Sequence, residues 1–219
     1  MDLTEALDHY CERLGPDFWA EPVNALSNLA FILAAFAGFV LWRRLPQRDW
    51  PIFGLILVVL VTGIGSFLFH TFATRWTMLA DVIPIAIFIH AYLLAALIRI
   101  LGLRWWLALA ATVLFLLVSP YIGGAVQGVA GSSSGYVPAL IALFVVGLMA
   151  LQRHRRAGLS LCAIGVLFAL SVTLRTLDAP LCASLPLGTH FLWHIFNGAV
   201  LFALLWVLIS LRQGYTGKS

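Results

Sequence analysis

The chain has 219 residues, of which 62% are hydrophobic and 10% charged, with a formal net charge of +4. Soluble domains are about 45–50% apolar and about 25% charged, so the composition excludes an ordinary soluble fold and points to an integral membrane protein. The basic residues fall in short clusters between apolar runs, which suits orientation in a bilayer and not a nucleic-acid footprint.

The N-terminal stretch MDLTEALDHY is acidic and polar. It lacks the basic start and short apolar core of a cleaved signal peptide, so the first hydrophobic segment is expected to stay as a span. A bilayer core about 30 Å thick takes about 20 apolar residues of helix. Seven runs come close: residues 22–42, 51–71, 79–99, 104–122, 136–152, 158–175 and 188–211. RRLPQRDWP follows the first, GGAVQGVAGSSSG the fourth and RHRRAG the fifth. No loop is long enough for a soluble domain, and no short-period repeat is visible. The expectation is one all-α membrane domain over residues 1–219, a bundle of seven transmembrane helices.

Lys and Arg orient it. Arg43, Arg44, Arg48, Arg99, Arg104, Arg153, Arg155, Arg156, Arg212 and Lys218 fall on one side, against Arg13, Arg75 and Arg175 on the other. The positive-inside rule then places the N-terminus outside and the C-terminus in the cytoplasm. His70 ends the second span, Asp81 starts the third, and His190 and His194 open the seventh, all on the outer side. Asp2, Glu5, Asp8, Glu12, Asp17 and Glu21, six of the nine acidic residues, precede the first span on that same side.

His190 and His194 in GTHFLWHIFN are four apart, so they share a helix face. Such a pair grips a metal in helical zinc sites, though it also arises as two polar residues at a helix end. His70 in GSFLFHTF supplies a third imidazole, and three His plus a water is the open catalytic zinc pattern. Polar groups at membrane depth are costly, which favours a use for them. Ser66, four before His70, is placed to bond the water or a developing oxyanion, or its own helix carbonyl. Asp81 reads as a general base that later protonates a leaving group, as a carboxylate orienting a His ligand, or as a helix N-terminal acid. His90 lies too deep for the same metal, and His154 belongs to the cytoplasmic interface. Cys162 lies inside a span, whereas Cys11 and Cys182 lie on the outer side. An outer pair can bond in an oxidising compartment, although spacing alone does not fix the pairing.

Three stretches resemble the alkaline ceramidases, seven-helix intramembrane hydrolases in the same broad superfamily as the adiponectin receptors. They are YCERLGPDFWAEPVNALSNLAF (10–31), GIGSFLFHTFATRWTMLAD (63–81) and THFLWHIF (189–196), in the family's order. The resemblance implies zinc on His70, His190 and His194, catalytic roles for Ser66 and Asp81, and substrate contact by Trp193. It implies hydrolysis of the ceramide amide to a long-chain base and a fatty acid, and a disulfide between Cys11 and Cys182. It further implies calcium held by acids before the first span. Glu12 and Glu21 match that cluster, with Asp17 nearby, but His9 and Leu14 stand where the family has an Asp and an Asn.

The expected partner is therefore a membrane lipid, ceramide or another lipid amide, and no nucleic acid. The compact loops point to a bacterial inner membrane with the site near the periplasmic face. A receptor with a structural zinc is the alternative on the same scaffold, since fold does not fix function. A structural zinc prefers four protein ligands, however, and only three are found. A transporter would need polar residues through the bilayer depth, and only His90 lies there.

Overall fold

The computed structural model describes residues 2–216, with side chains to residue 213. Lys218, counted above among the inner basic residues, lies outside the described residues. In chain order the helices are α1 (Pro22–Ser27), α2 (Leu29–Arg43), α3 (Trp50–Phe72), α4 (Arg75–Arg99) and α5 (Trp105–Ala130). A 3-10 turn (Gly131–Tyr136) leads to α6 (Val137–Ala150), α7 (Arg155–Leu181) and α8 (His190–Thr216). No strand occurs among the described residues; the N-terminal segment makes one isolated bridge, Ala6 to Thr74.

Six stretches are long and apolar enough to cross a membrane: Pro22–Arg43, Trp50–Phe72, Arg75–Arg99, Trp105–Ala150, Arg155–Leu181 and His190–Gln213. The fourth, of 46 residues, holds both α5 and α6. It is not one rod. A Cβ on Gly123 would lie 3.3 Å from the Ser134 carbonyl oxygen, and the Ser134 hydroxyl donates to the Gln127 side chain. Residues eleven apart on a straight helix are separated by about 16 Å, so the chain folds back here.

Two local expectations are corrected. GGAVQGVAGSSSG was expected to separate two spans, but α5 runs through Gly123, Gly124 and Gly128 to Ala130. In apolar surroundings a helix satisfies its backbone internally, and glycine is frequent in such helices. The turn comes at Gly131, where φ is +50°. Asp81 was expected to open its helix, but α4 begins at Arg75, behind a reciprocal cap between Thr74 and Thr77. Asp81 therefore sits almost two turns inside α4.

The first span is broken at Asn28. Its side-chain amide donates to the carbonyls of Asn24 (2.9 Å) and Ala25 (3.3 Å), closing α1 before α2 starts. α5 is peripheral: it buries only Ala108, Thr112 and Gly123, while Leu114, Leu117 and Val129 are exposed. That is the pattern of a helix facing an apolar solvent.

The N-terminal segment lies along the α3–α4 turn. Leu7 N–H donates to Ala73 (2.7 Å), Arg75 N–H to Glu5 (3.0 Å) and Trp76 N–H to Leu3 (3.0 Å), and Glu5 pairs with Arg75. A disulfide joins Cys11 to Cys182 just past α7, with Cα atoms 5.2 Å apart. The ends of α3 and α7 and the starts of α1, α4 and α8 thus meet beneath one strap. At the opposite end, the buried Asp49 caps α3 through Ile52 N–H (3.2 Å) and pairs with Arg99 (2.9 Å) and Arg212 (3.1 Å).

Candidate metal centre

Beneath the strap, α3 supplies His70 and the first two turns of α8 supply His190 and His194. One ring nitrogen from each lies within 4.8 Å of the others. All three side chains are buried. Among the described residues this is the one group of three His, Cys or acidic side chains placed to hold a metal.

The surroundings select the tautomers. His70 Nδ1 lies 2.6 Å from Glu21 Oε2. Burial pushes the Glu21 carboxyl up, but hydrogen bonds from His70, Arg13 and Asn24 hold it below the usual carboxylate range. An ionised carboxylate only accepts, so the His70 proton sits on Nδ1. Nε2 is then a bare lone pair, and it is buried with no hydrogen-bond partner. At His194, Nδ1 lies 2.7 Å from Ser27 Oγ. The single Ser27 proton goes to the Asn24 carbonyl at 2.8 Å, so Ser27 accepts from His194 Nδ1. His190 Nδ1 is also buried and unpartnered. Buried nitrogens left without partners are the exception in folded proteins, and these are what a metal ligand set requires. The donor set fits zinc, which takes neutral imidazoles ordered by outer carboxylates and hydroxyls.

Ser66 and Asp81 approach each other across the α3–α4 contact. Both side chains are buried there, and the charge of Arg175 reaches the Asp81 carboxylate. Gly65 makes this possible. A Cβ there would run into the backbone carbonyl of Ala80, so the helices touch backbone to backbone beside the two side chains.

Tyr10 covers the group from the strap. Its ring stacks on His190 at 3.7 Å between centroids and lies 5.0 Å from that of His70. Burial raises its pKa, so it stays a neutral phenol. Arg175 of α7 reaches Tyr10 Oη at 3.5 Å and lies over the Tyr136 ring at 5.2 Å and the Trp193 ring at 5.7 Å. Trp193 points away from the imidazoles, with its ring 4.7 Å from Tyr136 and 6.0 Å from Phe168.

His90 stands apart, bonded to the Ala86 carbonyl of its own helix at 2.7 Å and packed on Phe115. The acids linked above to calcium do not converge. Glu12 accepts Val23 and Asn24 N–H at the start of α1, each at 2.7 Å. Asp17 is exposed, and Glu21 is engaged by His70 and Arg13.

Sequence reasoning missed several contributors. Ser27 and the orienting role of Glu21 lay inside the quoted stretch 10–31, and Gly65 inside 63–81. Asp178 carried a signal of its own, as an acid in the apolar run TLRTLDAPL. It is buried and accepts the backbone N–H of Thr189 (2.7 Å) and His190 (2.9 Å) at the start of α8. Arg13, buried against Glu21, was read only as a charge.

An apolar cavity opens between α4, α5, α6, α7 and α8. Its walls include Phe88, Phe115, Leu143, Leu161 and Leu204, and at one end Tyr136 and Asn197, the latter three residues past His194.

A family model described as Ceramidase matches residues 9–219. No curated protein matches the chain.

Proposed function

This chain belongs to the ceramidase family, and on that premise we propose that it is a zinc-dependent hydrolase of a lipid amide, ceramide or a close relative, releasing a fatty acid and a long-chain base. The observation that carries the zinc is the set of His70, His190 and His194, with two tautomers fixed by Glu21 and Ser27 and two buried ring nitrogens left without partners.

His70, His190 and His194 would hold the ion. When bound, zinc supplies Lewis acidity that polarises the amide carbonyl and makes water a stronger acid. Asp81 takes the proton of the attacking water and returns it to the departing amine nitrogen. The Ser66 hydroxyl donates to the carbonyl oxygen as charge develops there. The half-buried Arg175 sets a positive charge near the Asp81 carboxylate. The apolar cavity takes the acyl chain, running from Asn197 to Leu204 over about 10 Å of α8. Trp193 braces the wall of that cavity through Tyr136 and Phe168, and substrate contact by its indole edge is part of the same reading.

Seven spans follow if α5 and α6 each cross. α6 has only 14 residues, about 21 Å, so the 3-10 turn and Leu151 complete its crossing. With the basic end in the cytoplasm, the centre lies near the outer face, where an oxidising compartment maintains Cys11–Cys182. A bacterial inner membrane fits this placement.

The test is release of fatty acid from ceramide by the purified chain, beside Asp81→Asn. Turnover by wild type and its loss in the variant support the reading. No release from any ceramide moves the substrate to another lipid amide.

A further inference from the structure

The family resemblance implies calcium beside Glu12, Asp17 and Glu21, and the residues present do not fit it. Calcium takes six to eight oxygens from carboxylates and carbonyls. Here Asp17 is exposed, and the Glu12 carboxylate is occupied as the cap of α1. His9 packs edge-on against Phe69 at 6.0 Å, and Leu14 is 92% exposed. The middle of the cluster already holds a cation. Arg13 is only 7% exposed. Its Nε donates to Glu21 Oε1 at 2.5 Å, Nη1 to the Gly15 carbonyl at 3.0 Å and Nη2 to the His70 carbonyl at 3.0 Å. One carboxylate and two backbone carbonyls are the oxygen types that calcium would use. A divalent ion placed among them would meet the guanidinium charge at contact distance with little water to screen it.

We propose that Arg13 is the resident cation of this end of the molecule, and that it replaces calcium. It is a positioning residue and touches no reacting atom. Its planar fork joins three separate pieces: the strap at Gly15, the entrance to α1 at Glu21, and the end of α3 at the carbonyl of His70. Fixing Glu21 fixes the carboxylate that orients the His70 ring. The inference rests on the reading of the three histidines as metal ligands, and it adds that their support is built into the chain and needs no second metal.

The experiment uses the full chain in detergent, prepared in zinc-containing, calcium-depleted buffer. Calcium is added up to millimolar while thermal unfolding is followed. Wild type is expected to show no shift. A saturable rise in unfolding temperature that Glu12→Gln removes would overturn the proposal. In parallel, zinc retention is measured by chelator competition. Arg13→Gln is expected to hold zinc at least about 10-fold more weakly. Arg13→Lys keeps the charge but cannot span all three oxygens, and it should recover part of that loss. Wild-type retention in Arg13→Gln contradicts the positioning role. If Arg13→Gln yields no folded protein, retention in Arg13→Lys decides, with full wild-type affinity counting against it. The calcium arm reads neither zinc nor turnover. A chain without zinc would therefore sink the proposed function while leaving this question answerable.

Discussion

The Asp178 carboxylate of α7 accepts the backbone N–H of His190 at 2.9 Å. The same oxygen accepts Thr189 N–H at 2.7 Å, and the other accepts Cys11 N–H at 3.1 Å. One buried acid therefore holds the start of the helix that carries two histidines and the strap that covers them. An acid there satisfies orphan N–H groups and complements the helix dipole. Gly188, with φ at +68°, leaves room for it, because a Cβ at that position would fall on the Asp178 carboxylate.

Asp178→Ala should therefore destabilise the chain by at least about 2 kcal/mol, since buried donors left unpaired cost about 1–3 kcal/mol each. Zinc content should fall with it, because His190 loses its anchor. Asp178→Asn keeps an acceptor for Thr189 and His190 and should land between the two. Thermal unfolding and metal analysis on the three proteins check this; an unshifted Asp178→Ala would refute the anchoring role.

Glu21 and Ser27 fix the tautomers of His70 and His194. Removing such outer partners typically costs 10–100-fold in metal affinity. Glu21→Ala and Ser27→Ala should each show a loss of about that size in chelator competition, and Ser27→Ala should do so with little change in unfolding temperature. Full affinity in both would mean that the imidazoles are not ordered in this way.

Gly65→Ala should separate α3 from α4, since the new methyl meets the Ala80 carbonyl. Misplacing reacting groups by about 1 Å can cost 10²-fold in rate, so hydrolysis should drop by about that factor while the protein still folds. Gly54, elsewhere on α3, has open space where a Cβ would stand, with nothing within 4 Å. Gly54→Ala is the control and should keep its activity.

Asp81→Asn should lower the rate by about 10²–10⁴, the usual contribution of a general base. His90→Ala should keep most of it, because His90 bonds only its own helix and packs on Phe115. Equal losses at the two positions would place His90 in the chemistry.

The apolar helices and the histidine triad were legible because both rest on local pattern: run length for the spans, and i, i+4 spacing for His190 and His194. His70 and Asp81 were legible from depth along their runs, although the Asp81 helix starts earlier than hydropathy suggests, because its cap is Thr74 and Thr77. The glycine-rich stretch misled because glycine breaks helices in water and not in apolar surroundings. Ser27 and Arg13 were not legible as site residues, and Asp178 stood out only as an acid among apolar residues, with nothing to say what it holds. Each acts on a backbone or ring 11 to 167 positions away in the chain, and single-sequence patterns carry no record of such pairings. Glu21 was singled out for calcium through the family resemblance, whereas its partners in the fold include Arg13 and His70.

The most direct measurement is metal content and fatty-acid release from ceramide on the same purified samples, wild type beside His194→Ala. About one zinc per chain in wild type, with zinc and hydrolysis lost together in the variant, is the expected result. Hydrolysis by a zinc-free wild type, or a His194→Ala protein that keeps both zinc and activity, would contradict the three-histidine hydrolase.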